Sequence, residues 1–146
     1  MPSHFDGQLA LDVPRDWEEL TVVRYEAPRR RSAEPALPPA RAELSLVKMR
    51  DDEELGAHAE RRLAEVAMAS EGFLLRTLAP TELEGRAAFT AEVASLVDGV
   101  PVEHQVLFVQ LRERRAAMLT LRAARSDLPQ LAPLFRRMLA SVHVAR

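Results

Sequence analysis

Between Gly99 and Leu111 the chain reads as a turn running into a strand that is apolar on both faces. Alternation along a strand sends His104, Val106, Phe108 and Gln110 to one side and Gln105, Leu107, Val109 and Leu111 to the other. Such a strand needs a cover on each face. Similar period-two stretches predict further strands at 4–13 (one or two pieces, stopped by Pro14), 20–27 (ended by Pro28), 41–50, 73–83 (interrupted by Pro80), 86–97 and 116–124. The short connections Glu84-Gly85, Asp98-Gly99 and Arg112-Glu113-Arg114 predict hairpins, so the strands from 73 onward form an antiparallel meander.

Two stretches change to a helical period. Leu55, Ala59, Leu63, Val66 and Ala67 share one stripe, with Arg62 at its edge, where the stem can pack while the guanidinium reaches a polar partner. Asp51 to Glu54 supply acids for the helix start, with Asp51 and Glu54 at capping-box spacing, and Gly72 stands where a C-terminal cap belongs. Leu131, Leu134, Phe135, Met138, Leu139 and Val142 form a second stripe. Pro133 fits near that helix's first turn, which leaves 128–130 as a separate turn. The pattern predicts an α+β sandwich: an antiparallel sheet of about six strands with two helices packed on one face. No repeat of solenoid length is present in the sequence.

At 146 residues the chain is one domain's worth, 47% apolar and 29% charged, with a formal net charge of -2. That balance does not attract nucleic acid or an anionic membrane. The absence of cysteine excludes disulfides, thiol catalysis and thiolate metal sites, and it suits a reducing compartment. Charged residues are spread through the first twenty-five positions, and no apolar run reaches membrane-spanning length. The expected location is therefore cytoplasmic. The loop at about 28–40, with Arg29, Arg30 and Arg31 followed by prolines, is expected to be mobile and solvated, and Trp17 is expected to plug the end of the sheet.

Catalytic signatures are missing. The sequence has no GxSxG, P-loop, GxGxxG or HExxH. His58-Ala59-Glu60 has the spacing of a zinc deaminase, but the Cys-x-x-Cys pair such a site needs is absent, so helix surface is the expected role. His4, His104 and His143 have no metal-ligand spacing, and the acids at 51–54 already have a use at a helix start. The expectation is a protein without catalytic residues, metal or cofactor.

What remains is a sheet face with no assigned cover. Val22, Val47, Leu107, Val109 and Met118 are assigned to it, interrupted by Arg24, Ser45, Gln105 and Thr120. A mixed face of this kind serves a homodimer, forms a groove for an apolar ligand, or is covered by the arginine loop.

Several segments resemble the DcrB-like family: Asp12-Val13-Pro14-Arg15-Asp16-Trp17-Glu18-Glu19 before a strand, Ala59-Glu60-Arg61-Arg62-Leu63, Gly72-Phe73-Leu74-Leu75 and Leu83-Glu84-Gly85-Arg86-Ala87-Ala88. Gln105-Val106-Leu107-Phe108-Val109 and the closing Phe135-Arg136-Arg137-Met138-Leu139-Ala140-Ser141-Val142 continue the resemblance over nearly the whole chain. Within that family the sequence is similar to the Eag chaperones of type VI secretion. The resemblance implies a PsbP-like sandwich that forms a homodimer and shields the apolar N-terminal transmembrane helices of a secretion effector until it is loaded onto the spike protein. It places apolar sheet contacts near Val22, Arg24 and Ser45 and a polar pair at Arg62 and Gln105, and a small register shift adds Val47 and Leu107 to the expected partner-binding residues. Arg24 and Ser45 stand where apolar residues are expected, and Arg62 where the family often has Gln. The alternative it leaves is a general DcrB-like accessory protein binding another protein or a small apolar ligand on the open sheet face.

Overall fold

The computed structural model describes residues 2–5, 9–12, 14–15, 21–28 and 37–144. Trp17 and most of the arginine loop lie outside the described residues. Strands β1 (Pro2–Phe5) and β2 (Leu9–Asp12) form a two-stranded antiparallel hairpin, so the single period-two stretch at 4–13 folds as two pieces. The main sheet contains β3 (Thr21–Glu26), β4 (Arg41–Lys48), β5 (Glu71–Leu83), β6 (Arg86–Val97), β7 (Val100–Gln110) and β8 (Arg115–Ala124). Its order is β3-β4-β8-β7-β6-β5, and every neighbouring pair is antiparallel. Helix α1 (Leu55–Ala69) joins β4 to β5, and a 3-10 turn at Arg125–Asp127 leads from β8 into helix α2 (Leu128–Ala140).

The hairpin turns follow from local chemistry. Glu84-Gly85 and Asp98-Gly99 have positive φ at both positions, the conformation whose twist matches the flanking strands. Glu113 and Arg114 also have positive φ although neither is glycine. Arg114 offsets that strain with its side chain, which donates to the carbonyls of Arg50 and Glu53 at 2.7 Å each. The β7-β8 turn is thereby tied to the segment that enters α1.

Strand β7 is interior to the sheet and apolar on both sides, and the two helices divide its faces between them. Val106 and Phe108 pack with Val93, Met118, Leu55, Ala59 and Leu63 beneath α1. Leu107 and Val109 pack on the other side with Leu119, Leu139 and Val142, next to Leu121 and Phe135 under α2. The helices therefore lie on opposite faces, not on one face as the pattern suggested. Each helix displays a single apolar stripe, whereas β7 has two apolar faces to bury, and one helix per face meets both needs.

Local punctuation differs from expectation at several points. Glu54 precedes α1 without a side-chain cap, so the Asp51/Glu54 box does not form. Glu53 instead accepts from Arg61 at 2.9 Å and lies 3.2 Å from His58, whose ring packs edge-on against Phe108. The Arg61 guanidinium holds the Glu53 carboxyl down at about 2. Helix α1 ends at Ala69, and Gly72 falls inside β5 with positive φ, where a Cβ would come within 3.0 Å of Leu96. Pro80 does not break β5, because this is an edge strand and a missing N–H is tolerated there. Residues 128–130 belong to α2 itself: Pro129 occupies its first turn and Pro133 removes one internal bond without ending it.

Phe108 is fully buried at the centre of the α1 layer. Phe108→Ala is expected to cost about 3–5 kcal/mol in denaturant unfolding, whereas Tyr25→Ala, at a 69% exposed position, should change stability by less than about 0.5 kcal/mol.

Candidate functional site

Helix α1 lies over β5, β6 and β7, and the same sheet face continues beyond it across β8, β4 and β3. Register sorts that face into cross-strand rows. One row runs Val22, Ser45, Met118, Phe108, the next Arg24, Glu43, Thr120, Val106, and the third Glu26, Arg41, Arg122, His104, Val93. Each row is exposed or charged at β3 and becomes apolar as it passes under α1. Where sheet and helix edge meet, a pocket of about 190 Å3 is lined by Leu63, Val66, Val93, Val106 and Met118 on its apolar side. Arg41, Glu43, Ser45, Arg62, His104, Thr120 and Arg122 form its polar side.

Arg62 spans the boundary as its sequence position suggested. Its guanidinium donates to Glu65 at 2.9 Å and to Ser45 Oγ at 3.3 Å, and it lies 3.8 Å from Met118 Sδ. Arg24 pairs with Glu43 at 2.8 Å, and Arg41 with Glu26 at 2.7 Å. Both pairs are at least partly open to water and each stabilises the fold by no more than about 1 kcal/mol. Their larger effect is to hold charge in place along the groove. His104 accepts or shares a hydrogen bond with Ser95 Oγ at 2.9 Å. Burial pushes its imidazole down to about 4, helped by repulsion from Arg122 and opposed by Glu103, so the ring is neutral at physiological pH.

The seven residues assigned to a partner face separate into two sets. Val22, Arg24, Ser45 and Val47 share the α1 side of the sheet, and Arg62 reaches the same region from the helix. Gln105 and Leu107 point to the α2 side, where Leu107 is 7% exposed beneath the helix. The groove residue of β7 is His104, one position earlier. A displacement of one residue turns a side chain to the opposite face, so Gln105 and Leu107 do not share a surface with the other five residues. Arg41, Glu43 and Arg122 were also missed. Alternation from Ser45 and Met118 places all three on this face beside Thr120, but the position of α1 is needed to show that this part stays open.

His58 is a correction of a different kind. It is 1% exposed, facing Phe108 and Glu53, and is not helix surface. Among the described residues no group of three His, Cys, Asp or Glu is arranged to hold a metal ion, and no helix is long and apolar enough to cross a membrane.

No family model and no curated protein matches the sequence. Solved structures do match in fold. A Pseudomonas aeruginosa protein of unknown function, PA94, superposes with a TM-score of 0.73 at 17% identity, covering 100% of this chain and 97% of that one. The cyanobacterial PsbP of Synechocystis gives 0.56 at 13% identity, covering 92% and 99%. The Saccharomyces cerevisiae Ran-binding protein Mog1p gives 0.55 at 14% identity, covering 84% and 68%. The chain thus has a PsbP-like α+β fold.

The neutral state of His104 has a consequence for stability. Its folded pKa lies below the ordinary 6.5, so the unfolded chain binds the proton more readily. The stabilisation is fully present above pH 6.5 and declines as pH falls through 6.5 toward 4; buried His58 shifts in the same direction. Denaturant midpoints for His104→Gln should therefore fall less steeply than wild type across that window. The His104 imidazole carbon resonances should still report a neutral ring at about pH 5.5.

Proposed function

We propose that this protein is a cytoplasmic binding module: a chaperone or adaptor that shields the apolar N-terminal transmembrane helices of a type VI secretion effector and helps load it onto the spike. The observation that carries this reading is the half-covered sheet face, apolar along α1 and rich in fixed hydrogen-bonding groups toward β3. A transmembrane helix in water needs an apolar surface to cover its side chains and donors or acceptors for its occasional polar atoms. Leu63, Val66, Val106 and Met118 supply the first, and Ser45, Arg62, Thr120 and Arg122 the second. The resemblance to DcrB-like Eag chaperones agrees with the PsbP-like fold and supplies the class of client.

A small apolar ligand is the weaker reading, because about 190 Å3 falls below the ~300–1,000 Å3 of ordinary small-molecule sites. Side chains projecting from a docked helix fit such a volume better than a whole ligand does. In the homodimer that belongs to this reading, the sister subunit meets the α2 side of the sheet edge, where Val23, Tyr25 and Leu44 are exposed.

Co-expression with a candidate client, a neighbouring gene product that carries apolar N-terminal helices, tests the proposal. The pair should co-purify, and deletion of the client's apolar N-terminal helices should abolish capture. Val22→Asp or Val66→Asp should weaken capture at least tenfold while the variants remain folded, since each places a charge against the groove. Gln105→Leu, on the opposite face, should capture normally. Equal capture without the helices, or loss only in Gln105→Leu, would overturn the assignment.

A further inference from the structure

The charges around the groove do not balance. Three of its arginines have carboxylate partners: Arg24 with Glu43, Arg41 with Glu26 and Arg62 with Glu65. Arg122, in the middle of the third row, forms no ion pair among the described residues. Its only hydrogen bond there is a long one, 3.5 Å, to the Pro39 carbonyl, and its Nε is buried without a partner. Arg62 Nε is in the same condition. Burial pushes the Arg122 guanidinium below its ordinary range, and Arg41 and Arg24 add repulsion against the opposing effect of Glu26 and Glu43. The neighbouring His104 is neutral and Thr120 is uncharged, so neither supplies the missing negative charge.

A buried donor without a partner is unfavourable, and a guanidinium is best satisfied by the two oxygens of a carboxylate. Water can fill the hydrogen bonds but leaves the charge uncompensated in a site of reduced dielectric. Leu63, Val66, Val93, Val106 and Met118 line the same pocket as Arg122, so an occupant that reaches the guanidinium also meets apolar surface.

We infer that the groove selects an apolar helix bearing a carboxylate side chain, Asp or Glu, at the position that reaches Arg122. This rests on the groove being a helix-binding site and specifies what distinguishes one helix from another. The carboxylate enters as the fourth acid of a four-arginine groove, and the flanking apolar residues of the same helix lie along α1. A helix carrying Lys at that position meets repulsion from Arg122 and Arg41, and a Gln satisfies the hydrogen bonds without the charge.

The test uses the full chain and soluble leucine-alanine helical peptides about 18 residues long that differ only in one central residue, Glu, Gln or Lys. Fluorescence anisotropy should show the Glu peptide binding about tenfold more tightly than the Gln peptide, with the Lys peptide weakest. Arg122→Gln should erase the difference between Glu and Gln, while Arg122→Lys should retain part of it and confirms that the charge is read. Equal binding of all three peptides to wild type overturns the carboxylate preference and leaves helix docking intact. A Glu preference that survives Arg122→Gln overturns the role of Arg122. Failure of every peptide to bind overturns both this inference and the helix-binding reading on which it rests.

Discussion

Two-sided burial of strand β7 is the constraint from which the rest of the architecture follows. Its side chains alternate between two apolar sets, and both must leave water. Val106 and Phe108 are 4% and 0% exposed, and Leu107 and Val109 on the opposite face are 7% and 3%. Each such side chain contributes about 1.5–3 kcal/mol on burial, so an uncovered face would cost several kcal/mol. A single helix cannot reach both sides of a sheet. The chain therefore places α1 between β4 and β5 on one face and α2 after β8 on the other.

The groove is what this arrangement leaves over. Helix α1 is fixed toward the β5 side of the sheet by its apolar stripe and by the polar cluster at its start. Glu53, Arg61 and His58 bind one another there, and Arg114 reaches across from the β7-β8 turn to the same segment. These contacts hold the helix entrance over Phe108. The sheet is wider than one helix, so β8, β4 and β3 extend past it on this face. Arg24 with Glu43 and Arg41 with Glu26 form ion pairs on the β3 and β4 part of this face, which keeps an edge of the sheet compatible with water while the inner wall stays apolar. Helix edge and open groove meet at Arg62, whose stem belongs to the helix edge and whose guanidinium faces the groove.

Much of the fold was legible in the sequence. Strand positions from 86 onward agree with the observed ones to within a residue, because period-two patterning and Glu-Gly or Asp-Gly turns act locally. The errors came where a local cue has more than one structural use. Glu53 is an acid near a helix start, yet its carboxylate binds Arg61, His58 and the Arg50 backbone N–H, and the N-cap residue Glu54 makes no side-chain cap. Gly72 has the left-handed backbone expected of a helix cap and uses it inside a strand. The site was half legible: Ser45 and Arg62 do come together, whereas Gln105 stands on the far side of the sheet from them.

By itself, then, the sequence determined that β7 has two apolar faces, that its neighbours form an antiparallel meander, and that two helices carry one apolar stripe each. Those properties depend on spacing along the chain, and spacing is written in the order of residues. Only the tertiary structure decided which face each helix covers and how far the cover extends. Alternation states that His104 and Gln105 face apart, but it does not state which faces a groove, because that depends on where a helix distant in sequence comes to rest. Once α1 is placed, the parity of β7 assigns His104, Arg122 and Ser45 to the open side and Leu107 to the closed one.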